Sequence, residues 1–247
     1  LWEIFDQILE NPARALHGVG MEVEIQVPDE VPVMTLPNLA FFPQALLPLH
    51  IFEPRYRQML RDVLATNRIF AVAGLDAHAQ SGDEHAEPPH RVACIGLVRA
   101  CQKNDNGTSN LLLQGLCRVA IEEIVGDEPY RRIRIRALTS LPGAAPAENA
   151  KLRKELSRLI KLKLRLAPGG AEGMTDLLKT VEDPEIFADI AAFNLCDNAT
   201  LKQKLLETLD VNRRLLLLLH AVRQEIDATV LHLRLQGGLP DDHISLN

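Results

Sequence analysis

The stretch from His78 to His90 gathers His78, Asp83, Glu84, His85, Glu87 and His90. Imidazoles and carboxylates are the groups that zinc and other divalent ions take as ligands. The spacing opposes a metal site. His85 and His90 are five positions apart in a proline-containing loop, not four apart on a helix. A solvated loop is expected, with no metal and no cofactor. Cys94, Cys101 and Cys117 are close in sequence and would approach one another if 92–102 and 110–125 pair as a hairpin. Buried free thiols are the expectation, because cysteine packs as a small hydrophobe. Arg132, Arg134 and Arg136 alternate with Ile133 and Ile135, so on a strand the arginines share one face. Such a row can hold carboxylates or phosphates by bidentate contacts, or pair with acidic neighbours on a solvated face. Lys154, Arg158, Lys161 and Arg165 make a second basic stripe, again read as a solvated face. Phe41, Phe42 and Phe52 flank a proline-rich segment. Exposed, they suit capture of apolar peptide segments; buried, they anchor a core, the favoured expectation for Phe52. Phe41, Phe42, Arg132, Arg134 and Arg136 form the candidate ligand-binding set. No catalytic residue is assigned.

The elements that must position these residues are mostly β up to about Leu141. Val33–Leu36, Ile69–Leu75, Val92–Gln102, Asn110–Val125 and Arg131–Leu138 are the strand-like runs. Asn106-Gly107 between two of them signals a hairpin, since both residues tolerate positive φ. Gly115 suggests a bulge or sharp bend. One helix interrupts the β region, opened by Pro54 at a first helical position and carrying Tyr56, Met59, Leu60, Val63 and Leu64 at helical spacing. Pro142 to Pro146 reads as a linker, and helices follow from Glu148. Asp183-Pro184 opens one, Thr200–Leu209 is another, and the long last one ends at Gly237-Gly238. Residues 1–20 are either a docked helix bearing Trp2, Phe5, Ile8 and Leu9, or an extension upstream of a natural start at Met21. The expected division is 1–30 as an N-terminal extension, 31–141 as a β-rich domain and 142–247 as a helical domain.

Composition narrows the function. The chain has 27 basic and 33 acidic residues, a net charge of −6, one Trp and two Tyr. Nucleic-acid binding favours basic stripes and stacking aromatics, so it is disfavoured here. The leucine run Leu215–Leu219 stops at His220, where a membrane span needs about 20 residues. The four cysteines form no C-x-x-C, and the first residues of the sequence lack the cationic start and apolar run of a secretory signal, so a reducing cytoplasm is the expected setting.

An ordered series of motifs carries a family resemblance. Val33-Met-Thr-Leu-Pro-Asn38, Phe42-Pro43 and Leu47-Pro-Leu-His-Ile-Phe-Glu-Pro-Arg-Tyr56 resemble the opening of the Lon protease N-terminal domain, in its short stand-alone bacterial form. Cys94-Ile-Gly96 and Asn110-Leu-Leu-Leu-Gln-Gly-Leu-Cys-Arg-Val119 are similar to its central strands, and Leu205-Leu-Glu-Thr-Leu-Asp210 to its helical end. The resemblance covers about residues 31–235 and implies an α+β protein: a PUA-like β pseudo-barrel followed by an all-helical bundle. It implies recognition of unfolded or tagged polypeptides. The family's chemistry lies in later domains, and their signatures are not found here. There is no Gly-Lys pair and so no phosphate-cradling loop. None of Ser81, Ser109, Ser140, Ser157 and Ser245 lies in the Gly-Pro-Ser context of the family's Ser–Lys dyad.

Three functions compete. The first is a non-enzymatic module that binds unfolded or apolar polypeptide segments, with a separate protease as a further partner and no membrane. The second is RNA binding through a PUA-like domain and the arginine row, a fold analogy. The third is a hydrolase built on the His78–His90 loop. The first is preferred.

Overall fold

The computed structural model describes residues 27–76, 79, 87–166 and 172–235. The apolar runs form six strands: β1 (Glu30–Leu36), β2 (Leu46–Ile51), β3 (Ile69–Gly74), β4 (Val92–Lys103), β5 (Ser109–Gly126) and β6 (Arg132–Ala137). Six helices are present among the described residues: α1 (Pro54–Leu64), α2 (Pro146–Leu166), α3 (Glu172–Thr180), α4 (Pro184–Leu195), α5 (Ala199–Glu207) and α6 (Val211–Leu235). The α+β class holds. The described residues divide into two compact units, 27–141 with 185–211, and 142–184 with 212–235.

In the first unit the strand order is β2-β5-β4-β3-β1-β6, and β5 also pairs with β6. Only β1–β3 is parallel. The first half of β5 therefore carries β2, and its second half carries β6, on a sheet that curls back on itself. β2 stays outside this return, so the six strands do not make a closed barrel. The period-two pattern fills the interior with Val31, Val33, Ile69, Ala71, Ala73, Ala93, Ile95, Val119, Ile133 and Ile135. Every residue of β3 is buried, as its continuous apolar run implies.

Local chemistry sets the details. The β4–β5 hairpin forms, but its loop spans residues 104–108, and only Gly107 takes positive φ, at 80°. Gly115 lies beside a bulge: Ile95 faces Cys117 and Gly96 faces Gly115, leaving Leu116 as the extra residue. A Cβ at Gly115 would lie 2.0 Å from Phe42 O, so glycine is what lets the two backbones approach. β2 was not foreseen, because Pro48 sits at its centre. Gly115 N–H donates to Ala45 O, so by alternation residues 47, 49 and 51 turn their backbones toward β5. Pro48 then faces outward, where its missing N–H breaks no pairing.

Two helices of the C-terminal half belong to this sheet unit, not to a separate all-helical bundle. Arg118 of β5 holds them. It is 2% exposed and donates to both Asp189 carboxylate oxygens on α4, at 2.7 and 2.6 Å, and through Nε to Leu206 O on α5 at 3.0 Å. Three of its five N–H donors are thereby matched by acceptors on these two helices.

The second unit contains α2, α3 and α6. Leu156, Ile160, Leu177, Leu178, Leu215, Leu218, Leu219, Val222 and Ile226 are buried at helical spacing. Asn149 donates to Pro142 O and accepts from Asn212. Glu155–Arg223 and Lys163–Glu225 are ion pairs of this unit. Lys154, Arg158, Lys161 and Arg165 are all exposed, so the basic stripe is a solvated face. No helix of the described residues is long and apolar enough to cross a membrane.

Candidate functional site

A groove of about 490 Å³ lies in the sheet unit along one side of α5. Ala199, Thr200, Gln203, Lys204 and Glu207 recur at helical spacing and form one wall. The helix is set by its N-cap, Asn198, whose side chain accepts from Leu201 N–H at 2.8 Å. The opposite wall comes from the ends of two strands. Asn38, at φ 55°, turns the chain after β1 and brings Leu39 in. Gly74 and Leu75 close β3, and an isolated bridge from Leu75 to Pro89 delivers His90 beside them. His90 N–H donates to Gly74 O at 2.9 Å, and its Nδ1 lies 3.8 Å from Asp76 Oδ2.

Gly74 is under tight constraint. A Cβ there would come within 2.6 Å of Leu39 O, 3.1 Å of His90 Cδ2 and 3.4 Å of Gln203 Oε1. Gln203 is 7% exposed. Its amide N–H groups donate to Val92 O at 3.1 Å and to Glu207 Oε1 at 2.8 Å. Its Oε1 has no hydrogen-bond partner among the described residues. Both neighbours of the amide nitrogen are acceptors, so turning the amide over would not repair this. The groove thus combines the apolar Leu39, Leu75 and Ala199 with an unmet buried acceptor, the exposed carboxylate of Glu207 and the exposed ammonium of Lys204.

The candidates named from sequence lie elsewhere. Phe41 and Phe42 are both 0% exposed, so neither offers surface to a peptide. Phe41 meets Phe193 edge-on at 6.1 Å, and the Arg118 guanidinium lies 5.8 Å from the Phe42 ring centroid. Phe52, expected in the core, is 61% exposed and stacks with His50 at 6.1 Å. The assignment of the three rings is thereby reversed. A continuous Phe-Phe pair looks the same in sequence whether it faces the core or solvent.

Arg132, Arg134 and Arg136 do share the exposed face of β6. Arg134 bridges Glu30 and Glu123, and Arg136 pairs with Glu122 at 2.9 Å. The hydrogen bond to Glu30 and the charge of Glu123 push the Arg134 guanidinium pKa further up. The row is therefore largely matched by acids.

Of the His78–His90 cluster, His78, Asp83, Glu84 and His85 lie outside the described residues. Glu87 pairs with Arg55 at 3.0 Å, and its carbonyl accepts from Arg131. No group of three metal-ligating side chains occurs among the described residues. The four cysteines are free thiols. Burial pushes Cys94 well above the ordinary thiol range and raises Cys101 and Cys117 as well. Such thiols are poor nucleophiles at neutral pH.

The comparisons now decide the family. The family model of the ATP-dependent protease La (LON) substrate-binding domain matches residues 30–224. The chain belongs to the Lon substrate-binding domain family. This Lon-type chain is 26% identical over 221 residues to a Lon protease of Syntrophus aciditrophicus, covering 88% of the chain and 28% of that relative. It is 25% identical over 211 residues to Lon protease 2 of Myxococcus xanthus, covering 85% and 25%. The Lon-type chain thus spans about a quarter of the length of these relatives. Two solved structures share its fold. The N-terminal domain of Mycobacterium avium complex Lon protease aligns with a TM-score of 0.61 at 20% identity, over 83% of this chain and all of that one. The Lon N-terminal domain protein from Xanthomonas campestris gives 0.55 at 19%, over 77% and 97%. The motif series from Val33 to Asp210 falls inside the matched region, as the resemblance implied.

The sequence reading missed Gln203, Glu207 and Gly74. His90 was grouped with loop residues, not with α5. Nothing local marks these four as neighbours, because the groove is assembled from four separate segments of the chain.

Proposed function

We propose that this chain is a non-enzymatic polypeptide-binding module. The observation that carries the reading is the match to a substrate-binding domain over residues 30–224. The groove beside α5 supports it, with Leu39 and Leu75 for apolar side chains and amide and charged groups for a peptide backbone. Phe52 adds an exposed aromatic ring. We read the curled sheet as the family's PUA-like element. A separate protease as partner and residence in the cytoplasm belong to the same proposal.

RNA binding draws little support, since Arg134 and Arg136 already hold carboxylates. The test is titration of the full chain with labelled, denatured proteins and apolar peptides at low and high salt. Binding that changes little with salt is expected, because apolar burial releases few counterions. Absence of binding across the panel rejects the reading.

A further inference from the structure

The groove contains a polar group that the fold leaves unmatched. A buried amide oxygen without a donor is costly, so native structures rarely keep one. Gln203 is nine-tenths buried, its amide nitrogen is committed to Val92 O and Glu207, and its Oε1 has no partner among the described residues. Glycine at 74 leaves this oxygen uncovered on the strand side, since a Cβ there would sit 3.4 Å from it. Beside it, Glu207 takes the Gln203 N–H with one carboxylate oxygen and keeps the other for a further donor. Two acceptors side by side, one of them charged, call for a ligand with more than one N–H donor and a positive charge.

We infer that this groove seats an arginine side chain of a bound polypeptide, its guanidinium bridging Gln203 Oε1 and the Glu207 carboxylate. The inference rests on the polypeptide-binding reading and names the chemistry that the site selects. A guanidinium fits better than an ammonium, because its planar fork presents paired donors to two neighbouring oxygens. Leu39 and Leu75 can take the apolar stem, leaving only the charged end to the acceptors. Lys204 opposes a second cation, but it is exposed and can turn to solvent.

The test uses the full chain and three versions of one leucine- and phenylalanine-rich peptide, differing at a central position: arginine, lysine or norleucine. Affinities are measured by fluorescence anisotropy. Arginine is expected to bind about tenfold tighter than norleucine, with lysine between, the effect of one desolvated charge-assisted contact. In Glu207→Gln the arginine-to-norleucine ratio should fall close to one. Glu207 is exposed, and glutamine keeps an oxygen for the Gln203 N–H, so this variant should fold. Equal affinity of the arginine and norleucine peptides for the native chain overturns the inference and leaves the proposed function standing. An unchanged ratio in Glu207→Gln also overturns it. Failure of all three peptides to bind removes both.

Discussion

At the residue scale the Arg118–Asp189 pair is the most consequential interaction in the sheet unit. Both side chains are at most 2% exposed. Taking two charges from water is expensive, and the bidentate geometry with the third bond to Leu206 O offsets that cost. Removing one partner strands the other. Asp189→Asn is expected to lower the unfolding free energy by about 3–5 kcal/mol, read from urea denaturation. The double replacement Arg118→Met with Asp189→Leu should recover much of the loss, since no charge is left buried. A single variant as stable as the native chain contradicts this account. Arg118 stood inside the sequence motif for the central strands, yet nothing adjacent named Asp189 as its partner, 71 positions away. Side-chain pairing across such a distance has no local signature, and for the same reason the burial of Phe41 and Phe42 could not be read from their types.

The thiols give a second residue-scale outcome, set by pH. Burial raises the folded-state pKa of Cys94, Cys101 and Cys117. A raised pKa means that the native state holds the proton more tightly than the unfolded chain does. Their contribution is complete below the ordinary thiol pKa of about 8.5 and is lost as pH rises above it, when the unfolded thiols ionise first. Under reducing conditions, unfolding free energy should fall above about pH 9, and Cys94→Ala should make that fall shallower. Chemical denaturation at a series of pH values measures the slope; an identical slope in Cys94→Ala would exclude Cys94 as a source.

At the scale of elements, strands and helices were legible wherever hydrophobic period and boundary residues agreed. Ile69–Gly74, the β4–β5 hairpin, the Pro54 helix and the Pro184 helix all follow from local pattern. β2 was hidden because Pro48 reads against a strand, and only an edge position reconciles the two. Gly115 of β5 meets the segment leading into β2 through backbone contact, so Gly115→Ala should cost about 2 kcal/mol or more by forcing Phe42 O away. Its loss is measurable as a lowered urea midpoint. Asn198→Ala removes the cap that starts α5 and should cost about 1 kcal/mol. Because α5 forms a wall of the groove, the same variant should also weaken peptide binding, and a stability loss with unaltered affinity would separate the helix start from the site.

At the scale of the molecule, the change from β to α near Leu141 is plain in sequence and one division between the compact units falls there, but neither unit is continuous along the chain. The sheet unit takes back residues 185–211, and those residues include Asp189, Leu206 and Gln203. The return is built in by backbone pairing: Leu141 N–H donates to Leu209 O at 2.9 Å, and Val211 N–H to Leu141 O at 2.8 Å. A fragment ending at Leu141 would therefore lack the acceptors that Arg118 finds on α4 and α5, Asp189 and Leu206 O. A buried guanidinium without its carboxylate costs several kcal/mol, comparable to the whole stability of a small domain. The fragment 27–141 is expected to lack a cooperative thermal transition by circular dichroism. A second polypeptide, in which 27–141 is joined by a flexible Gly-Ser linker to 185–211, should regain one, because it restores Asp189, the Leu206 carbonyl and the Leu141 pairings together. If 27–141 melts cooperatively by itself, the helices are accessories and Arg118 has found another way to be satisfied. If neither melts cooperatively, the intervening segment is also needed to hold the sheet unit together.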